Sequence, residues 1–393
     1  MPTTIFSQEV WTCTWATAPE YTGIQDMPLS GTLNNKTIRQ IIHVSLGGKK
    51  LRLHLSNEYS NEDTEIKSIY IADVFSNVAL EDLGIKINDN TIKYLTFGGE
   101  RSTTIPAGGT VVSDAIEYSL DPLQLLSVTI TYGLTPEHPT GHRGSRTTSY
   151  IVEGNPTYTD FSTNERIDHW YNIVKLDVIG EGNSAIAVIG NSITDGRGTT
   201  TNLQNRWTDV MAESLQAREE TKHLSVLNLG IGGNSVYYGG LSDPAVKRFD
   251  RDVLGQTNVS FVIVFEGIND LGNSDGDELE RACKLIECYR QFIQKAHSRG
   301  LRIYGATITP FKGSGYDNDN GNPAREECRQ TVNRWIRESG EYDGVLDFDT
   351  LLRDSEEPDR LREEYQSDWL HLNPIGYEAM GKYAGEVFSG ETK

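Results

Sequence analysis

Long apolar runs, an excess of basic charge and a leader-like N-terminus are all missing from this sequence. No stretch of about 18 apolar residues occurs, and the first seven residues lack the basic and apolar regions of a signal peptide. Lysine and arginine total 36 against 56 acidic residues, a formal net charge of −20. Because basic residues supply much of the affinity for polyanions, we expect neither nucleic acid nor an anionic membrane as partner. The expectation is a soluble protein, secreted or periplasmic if an export signal was removed and otherwise cytoplasmic.

Cysteine is also scarce, with four residues in 393 and no C-x-x-C spacing. Cys283 and Cys288 are five apart on a predicted helix, where their side chains point about 140° apart. We therefore expect buried or free thiols, and neither a disulfide framework nor a structural metal site. The hydrophobic content of 37% nevertheless suffices for folded cores, and the length favours two domains, predicted at 1–181 and 182–393.

The first half of the chain has short alternating apolar runs separated by Gly, Pro, Asn and Asp, which predicts an all-β sandwich of the jelly-roll kind. Gly47-Gly48 between two such runs predicts a tight hairpin, because primed turns need positive φ. The predicted strands are Ile38–Leu46, Lys49–Ser56, Ile66–Phe75, Thr110–Tyr118, Leu126–Tyr132 and Tyr171–Ile179.

In the second half, continuous apolar runs alternate with amphipathic helical segments. This alternation predicts a parallel sheet with helices on both faces, an α/β fold whose ligands bind beyond the carboxyl ends of the strands. The predicted strands are Ala185–Ile189, Val226–Leu229, Phe261–Phe265, Leu301–Ile308 and Val345–Phe348, and the main helices are Trp207–Arg218, Glu278–Arg299, Arg325–Ser339 and Glu378–Phe388.

Ser192 follows the first of these strands, in the segment Gly190–Gly196. A serine between glycines and just before a helix can expose its hydroxyl and leave its own N–H free to face a developing oxyanion. An ordinary helix-capping serine is the alternative. The segment does not fit the G-x-S-x-G motif, because Thr194 stands where the last glycine belongs.

Two further strand ends carry groups that could bind an oxyanion. Glycines around Gly233 let backbone N–H groups approach an anion, although a tight structural turn would use the same residues. Ser235 replaces a glycine that a dinucleotide-binding loop would need. Asn269, after the third strand, offers a neutral amide donor.

Asp368 and His371 lie three residues apart, just before the last predicted helix. One turn could bring the carboxylate to Nδ1 of the imidazole and leave Nε2 free to take a serine proton. Together with Ser192, the pair would supply a nucleophile, a general base and an orienting carboxylate for acyl transfer.

These segments occur in order and resemble the four sequence blocks of the SGNH/GDSL hydrolases, named for their Ser, Gly, Asn and His. The resemblance covers roughly residues 184 to 390. It implies a three-layer α/β/α domain with a flavodoxin-like sheet of five parallel strands. It also implies Ser192 as nucleophile and an oxyanion hole formed by the N–H groups of Ser192 and Gly233 and the side chain of Asn269.

The first half resembles the β domain that precedes the hydrolase in bacterial arylesterase/acylhydrolases associated with xylan degradation, through Trp11–Ala18 and Arg52–Asn57. The chain departs from the family pattern at two positions. Asn191 replaces the usual aspartate before the nucleophile, and Leu372 replaces the frequent proline after the histidine.

The implied function is a serine esterase that removes O-acyl groups, above all acetyl, from plant polysaccharides or oligosaccharides such as acetylated xylan, without a metal or organic cofactor. Loops rich in polar residues and tyrosine, including Tyr237–Gly240 and Gly313–Asn322, favour sugars over long acyl chains. The alternatives are a general arylesterase, lipase or thioesterase, and a non-catalytic glycan-binding protein. Candidate substrate contacts are Asn191, Asn234, Glu266 and Trp369.

Overall fold

The computed structural model describes residues 10–154, 157, 161–162, 164–317 and 323–391. The chain forms two compact units, one of Met1–Ala185 with Gln216–Leu227 and the other of Ile186–Leu215 with Asn228–Lys393. They are called the β unit and the α/β unit below. Within the described ranges, no helix combines the length and the apolarity needed to cross a bilayer. None of the four cysteines forms a disulfide, as expected.

The β unit contains two large antiparallel sheets and a small one. Strand order is β1-β15-β4-β8 in the first, with β9 also on β4, and β13-β12-β3-β10-β5-β6 in the second, with β7 on β5. The small sheet is β14-β11-β2. Strand bounds are β1 Val10–Ala16, β2 Glu20–Tyr21, β3 Lys36–His43, β4 Gly48–Ser56, β5 Thr64–Asp73, β6 Lys93–Tyr94, β7 Thr103–Ile105, β8 Thr110–Val112, β9 Ile116–Leu120, β10 Leu125–Tyr132, β11 Thr140–His142, β12 Ser149–Glu153, β13 Glu165–Ile167, β14 Trp170–Tyr171 and β15 Ile173–Gly180. Short 3₁₀ turns occur at Ile24–Asp26, Leu80–Asp82 and Asp89–Thr91.

Both large sheets contribute to a single hydrophobic core, which is the arrangement of a β-sandwich. Leu53 and Leu176 enter it from the first sheet, and Ile38, Ile69 and Val128 enter it from the second. The alternation seen in the sequence therefore reflects strands with one face on this core and the other on solvent or on smaller packing groups.

The predicted hairpin at Gly47-Gly48 is wrong. β3 pairs with β10 and β12, whereas β4 pairs with β15, β8 and β9, so the chain crosses from one sheet to the other between them. Neither glycine has the positive φ that a primed turn requires. Gly47 serves close packing instead, since a Cβ there would lie 2.4 Å from the Leu120 carbonyl oxygen.

The α/β unit is built on a five-stranded parallel sheet, as predicted. Its order β17-β16-β18-β19-β20 is the flavodoxin-like order, in which the chain reverses direction across the sheet beside its first strand. The strands are β16 Ser184–Gly190, β17 Leu224–Gly230, β18 Val259–Phe265, β19 Arg302–Ala306 and β20 Gly344–Leu346. The helices are α1 Ser192–Asp195, α2 Trp207–Gln216, α3 Ala245–Phe249, α4 Ile268–Gly272, α5 Glu278–Ser298, α6 Pro323–Glu338, α7 Phe348–Leu352 and α8 Pro374–Glu391, with a π-helical turn at Asp250–Leu254 and a 3₁₀ turn at Glu363–Tyr365.

Aromatic side chains on β18 explain how two helices are held on one face of this sheet. Phe261 and Phe265 are four residues apart and therefore point to the same face. Phe261 packs edge-on against Phe388 of α8 at 5.4 Å between ring centroids, and Phe265 packs against Trp207 of α2 at 6.4 Å. This packing fixes α8, whose N-terminal end follows the His371 turn.

Candidate active site

Ser192 is the first residue of α1, immediately after strand β16. The Asn191 side chain caps this short helix, with its Oδ1 accepting a hydrogen bond from Ile193 N–H at 3.0 Å. Ser192 is 7% exposed, so its hydroxyl has little contact with solvent. The tight turn between strand and helix thus holds the hydroxyl at the carboxyl edge of the sheet, where α/β proteins bind ligands.

Asp368 and His371 form one compact turn before α8. The Asp368 carboxylate accepts hydrogen bonds from the backbone N–H of Leu370 at 3.1 Å and of His371 at 2.7 Å. Trp369, between them, has a φ of +64°, an unusual conformation for a non-glycine residue. The carboxylate therefore fixes both the backbone of the turn and, through its second oxygen, the imidazole ring.

The three side chains form a continuous hydrogen-bonded chain. Ser192 Oγ lies 2.8 Å from His371 Nε2, and His371 Nδ1 lies 2.8 Å from Asp368 Oδ2. A carboxylate accepting from Nδ1–H selects the tautomer whose Nε2 can accept a serine proton. Partial burial alone would raise the pKa of Asp368, but the hydrogen bonds from His371 outweigh it and lower that pKa below its ordinary value. The carboxylate is accordingly ionised at neutral pH.

Two backbone N–H groups near the serine are available to a ligand. Neither Ser192 N–H nor Gly233 N–H donates to another group within the described ranges. Gly233 has a φ of +70°, a left-handed conformation that favours glycine. A Cβ on this residue would also lie 3.0 Å from Leu241. The glycine therefore permits a backbone direction that a larger residue would strain.

Asn269, on α4, supplies a side-chain amide to the same region. Its Nδ2 donates to the Asn234 carbonyl oxygen at 2.6 Å, and its Oδ1 accepts from the Tyr316 hydroxyl at 2.7 Å. These contacts fix the orientation of the amide. Because a primary amide nitrogen carries two hydrogens, one donor remains free to meet an oxyanion.

Two carboxyl groups are buried beside these loops. Burial raises the pKa of Glu266 to about 8, an effect that Arg248 opposes and the charge of Asp270 strengthens. Burial also raises the pKa of Asp270 to about 7, although both its oxygens accept from Val236 N–H, at 2.9 and 3.1 Å. Strongly raised carboxyl pKa values often accompany functional sites, but they also accompany structural networks.

The four candidate substrate contacts differ in their surroundings. Asn191, Asn234 and Glu266 are at most 1% exposed and are hydrogen bonded to other protein groups, so the structure does not support contact between these side chains and a substrate. Trp369 is half-buried, with the Arg360 guanidinium 3.9 Å from its ring centroid. Of these four residues, only Trp369 has exposed surface that a substrate could contact.

Two contributing residues were not found from the sequence. Arg248 is fully buried near the ends of three strands, and Tyr316 orients the Asn269 amide. Arg248 belongs to the charged run Lys247–Asp252, which has the composition of a solvated helix face and therefore gave no signal. Tyr316 belongs to the loop Gly313–Asn322, of which residues 318–322 lie outside the described residues.

Part of the chain is similar to known proteins. Residues 188–379 match the family model of the GDSL-like lipase/acylhydrolase family. A solved structure described as a lipolytic protein of the G-D-S-L family from Desulfitobacterium hafniense DCB-2 is 24% identical, with 52% of this chain and 99% of that chain covered and a TM-score of 0.40. The acetyl xylan esterase AlAXEase is 22% identical over 52% of this chain and 98% of its own, with a TM-score of 0.39.

A catalytic mutant of an acetylxylan esterase from Geobacillus stearothermophilus is also 22% identical, with 55% of this chain and 95% of that chain covered and a TM-score of 0.39. No curated protein is significantly similar to the chain. Each of these structural matches is limited to about half of the chain, whereas it spans nearly all of the matched protein.

Proposed function

We propose that the chain is a serine esterase with Ser192 as nucleophile, a proposal supported by the match of residues 188–379 to the model of the GDSL-like lipase/acylhydrolase family. The observation that carries the proposal is the unbroken chain of short contacts from Ser192 Oγ through His371 to Asp368. A serine hydroxyl is a weak nucleophile by itself, and an adjacent base held by a third group is what activates it.

The reaction begins when Ser192 Oγ attacks the ester carbonyl carbon and His371 Nε2 takes the hydroxyl proton. Asp368 stabilises the imidazolium that forms. The C–O bond to the alcohol then breaks, and His371 returns its proton to the leaving oxygen. Water then attacks the acyl carbon while His371 takes its proton. The bond between that carbon and Ser192 Oγ breaks, the acid is released, and His371 returns the proton to Oγ.

The negative charge of each tetrahedral intermediate would be held by the N–H groups of Ser192 and Gly233 and by the Asn269 amide. Preorganised neutral donors favour the oxyanion over the resting carbonyl, which is why they accelerate the chemical step. Loss of one such donor typically costs about 2.7–4 kcal/mol of transition-state stabilisation.

For the substrate we propose an acetylated polysaccharide or oligosaccharide, with xylan as the first polymer to test. The proposal is supported by the surface beside the Gly233 loop, where Tyr238 is 76% exposed on a short polar loop. Trp369 offers a second aromatic surface next to His371. Flat aromatic surfaces among polar side chains suit sugar rings, whereas a long acyl chain would favour a continuous apolar surface.

Hydrolysis of p-nitrophenyl acetate, butyrate and octanoate, together with acetate release from acetylated xylan, tests both levels of the proposal. We expect fast acetyl cleavage and xylan deacetylation, both lost in Ser192→Ala. Ser298→Ala is a matched control, because that exposed hydroxyl only donates to the Lys295 carbonyl. Its activity should equal that of the unmodified protein.

The other outcomes distinguish the alternatives. Preference for octanoate would make the protein a lipase, and preference for acyl thioesters would make it a thioesterase. Failure to hydrolyse any ester, together with binding to xylan in a pull-down assay, would contradict the enzymatic proposal and favour a glycan-binding protein.

A further inference from the structure

Arg248 is a fully buried arginine that contacts the ends of three neighbouring strands. Its Nη2 donates to the Gly190 carbonyl oxygen at 3.0 Å, at the end of β16. Its Nη1 donates to the Leu229 carbonyl oxygen at 2.8 Å, near the end of β17. Its Nη2 also lies 3.5 Å from Oε1 of Glu266, which follows β18 directly. One planar guanidinium therefore touches all three loops that carry the proposed oxyanion donors.

Two short paths connect Arg248 with those donors. Arg248 Nε donates to Asn234 Oδ1 at 3.0 Å, and the Asn234 carbonyl oxygen accepts from Asn269 Nδ2 at 2.6 Å. Asn234 also directly follows Gly233. The second path runs from Gly190, whose carbonyl Arg248 holds, to Ser192 two residues later.

Glu266 provides a third connection, between the loop of Ser192 and the loop of Asn269. Its Oε2 accepts hydrogen bonds from the Asn191 side chain at 3.2 Å and from Gly267 N–H at 3.3 Å. Asn191 is the residue that caps the helix beginning at Ser192. Glu266 Oε1 faces Arg248 but has no hydrogen-bond partner among the described residues. The carboxyl thus joins the serine loop to the Asn269 loop, next to the arginine.

We propose that Arg248 and Glu266 are a pair of positioning residues that hold the three oxyanion-hole donors in register with one another. The inference rests on the proposed esterase function and goes beyond it, because neither residue touches the substrate. A stabilising role alone explains the pair poorly, since burying charged groups costs free energy that apolar packing would avoid. A guanidinium with donors at fixed angles is suited to fixing three loops, whereas a lysine ammonium is not.

The pair also makes the site sensitive to pH. The pKa of Glu266, raised to about 8 by burial, places its ionisation in the mildly alkaline range. A new negative charge behind the oxyanion hole would oppose the oxyanion, so the activity should fall as pH rises through this range. The charged and titratable groups around the pair are Arg248, Arg251 and Asp252 on α3 and the π-helical turn, Asp270 on α4, and Arg281 and Tyr289 on α5.

The first test compares Arg248→Lys with Arg329→Lys. Arg329 is an equally buried arginine of the same unit that binds Asp349, Glu326 and the Ile308 carbonyl. Within the described ranges, none of its hydrogen bonds reaches Ser192, Gly233 or Asn269. We expect kcat on p-nitrophenyl acetate to fall about 100-fold in Arg248→Lys, the usual effect of donors displaced by about 1 Å, with KM nearly unchanged. Arg329→Lys should lower the melting temperature and leave kcat near that of the unmodified enzyme.

The second test uses Glu266→Gln, which keeps the size of the side chain and removes its ionisation. The kcat/KM of the unmodified enzyme should decline above about pH 8, whereas the kcat/KM of the variant, whatever its value at neutral pH, should show no such decline. Identical pH profiles would overturn the role of Glu266, and equal kcat values for the two arginine variants would overturn that of Arg248.

A readout without turnover separates this inference from the proposed function. Amide hydrogen exchange in peptides covering 186–198 and 228–236 should accelerate in Arg248→Lys and in Glu266→Ala, which removes the side-chain contacts of Glu266, and not in Arg329→Lys or Glu266→Gln. If the unmodified protein hydrolyses no ester, the esterase proposal fails while the exchange result still decides whether the pair holds these loops. Equal exchange in all variants would contradict the inference even in an active enzyme.

Discussion

Each unit of the molecule contains a histidine hydrogen bonded to an aspartate at 2.8 Å, yet only one of these pairs has the surroundings of a catalytic site. In the β unit, His54 Nε2 contacts Asp177, which also accepts from Arg52 at 2.9 Å. In the α/β unit, Nδ1 of His371 is hydrogen bonded to Asp368, and Nε2 is hydrogen bonded to the Ser192 hydroxyl. A His–Asp pair is therefore not a signature of chemistry. The Ser192 hydroxyl, which faces Nε2 of His371, makes the difference.

The buried carboxyl groups of Asp177 and Glu266, one in each unit, also differ in their surroundings and in the direction of their pKa shifts. Burial would raise the pKa of Asp177, but the hydrogen bonds and charges of His54, Lys175 and Arg52 lower it below its ordinary value. Burial dominates at Glu266, and its pKa rises to about 8. Cationic side chains beside the Asp177 carboxylate of the β unit keep it ionised, whereas at Glu266 of the α/β unit burial outweighs the charge of Arg248 beside the proposed oxyanion hole.

The largest expected difference between the two His–Asp pairs is the effect on kcat of replacing each histidine with alanine. His371→Ala removes the proposed general base, and we expect kcat to fall about 10⁶-fold, as when a catalytic triad loses its base. His54→Ala should leave kcat within about threefold and lower the melting temperature only. Steady-state hydrolysis of p-nitrophenyl acetate measures both. A comparable loss of kcat in the two variants would remove the distinction between the pairs.

A smaller effect is expected from the aspartate. Asp368→Asn keeps the shape of the turn but no longer selects the right imidazole tautomer, so kcat should fall about 10⁴-fold. Asp343→Asn is the control, since Asp343 pairs with the exposed His297 at 2.9 Å on the surface of the same unit. Pre-steady-state acylation rates would report both changes. A normal rate in Asp368→Asn would mean that this carboxylate does not orient His371.

Loss of the Asn269 amide should have an effect one to two orders of magnitude smaller than that of Asp368→Asn. For Asn269→Ala we expect kcat to decrease about 10²- to 10³-fold with little change in KM, because the donor acts on the oxyanion and not on the bound ester. Asn333→Ala is a suitable control, because this buried asparagine bonds only to the backbone of Ile308. A rise in KM with constant kcat would assign Asn269 to substrate binding instead.

The smallest effect concerns stability against pH, where the two carboxyl groups should act in opposite directions. The lowered pKa of Asp177 contributes stability above its ordinary value of 3.8 that is lost as pH falls below it. The raised pKa of Glu266 contributes stability below its ordinary value of 4.5 that is lost as pH rises through about 8.

Melting temperatures of the unmodified protein, Asp177→Asn and Glu266→Gln between pH 3 and 9 test these signs. Asp177→Asn should flatten the decline below about pH 3.8, and Glu266→Gln should flatten the decline between about pH 4.5 and pH 8. Either variant flattening the opposite limb would contradict the corresponding pKa direction.

The five strands of the α/β unit were predicted from the sequence, because strands buried on both faces appear as continuous apolar runs. Phe261–Phe265 became β18, and Trp207–Arg218 became α2 with an end two residues earlier. In the β unit the sequence predicted β3, β4, β5, β10 and β15 to within a few residues, but it merged β8 and β9 into one strand, Thr110–Tyr118, and left the remaining strands out. The predicted pairing of β3 with β4 was also wrong. A glycine pair between two alternating runs looks the same whether the chain turns back within one sheet or, as at Gly47, crosses to another.

The candidate site was predictable where local spacing carries the chemistry. Asp368 and His371 are close in sequence, so one turn explains their contact, and the proximity of Ser192 follows from the carboxyl edge of a parallel sheet. Arg248 could not be predicted, because its contacts with Gly190 and Leu229 depend on how the chain returns to the sheet after β17. Glu266 was noticed, but it was interpreted as a substrate contact because its complete burial is a tertiary property.

Fluorophosphonate labelling followed by peptide mapping tests the central claim most directly, because it reports a base-activated serine without any assumption about the substrate. We expect a single modified residue, Ser192, labelled at similar rates in the unmodified protein and in His54→Ala, and barely labelled in His371→Ala. Labelling of another serine, or equal labelling of Ser192 with and without His371, would contradict the assignment of the catalytic site.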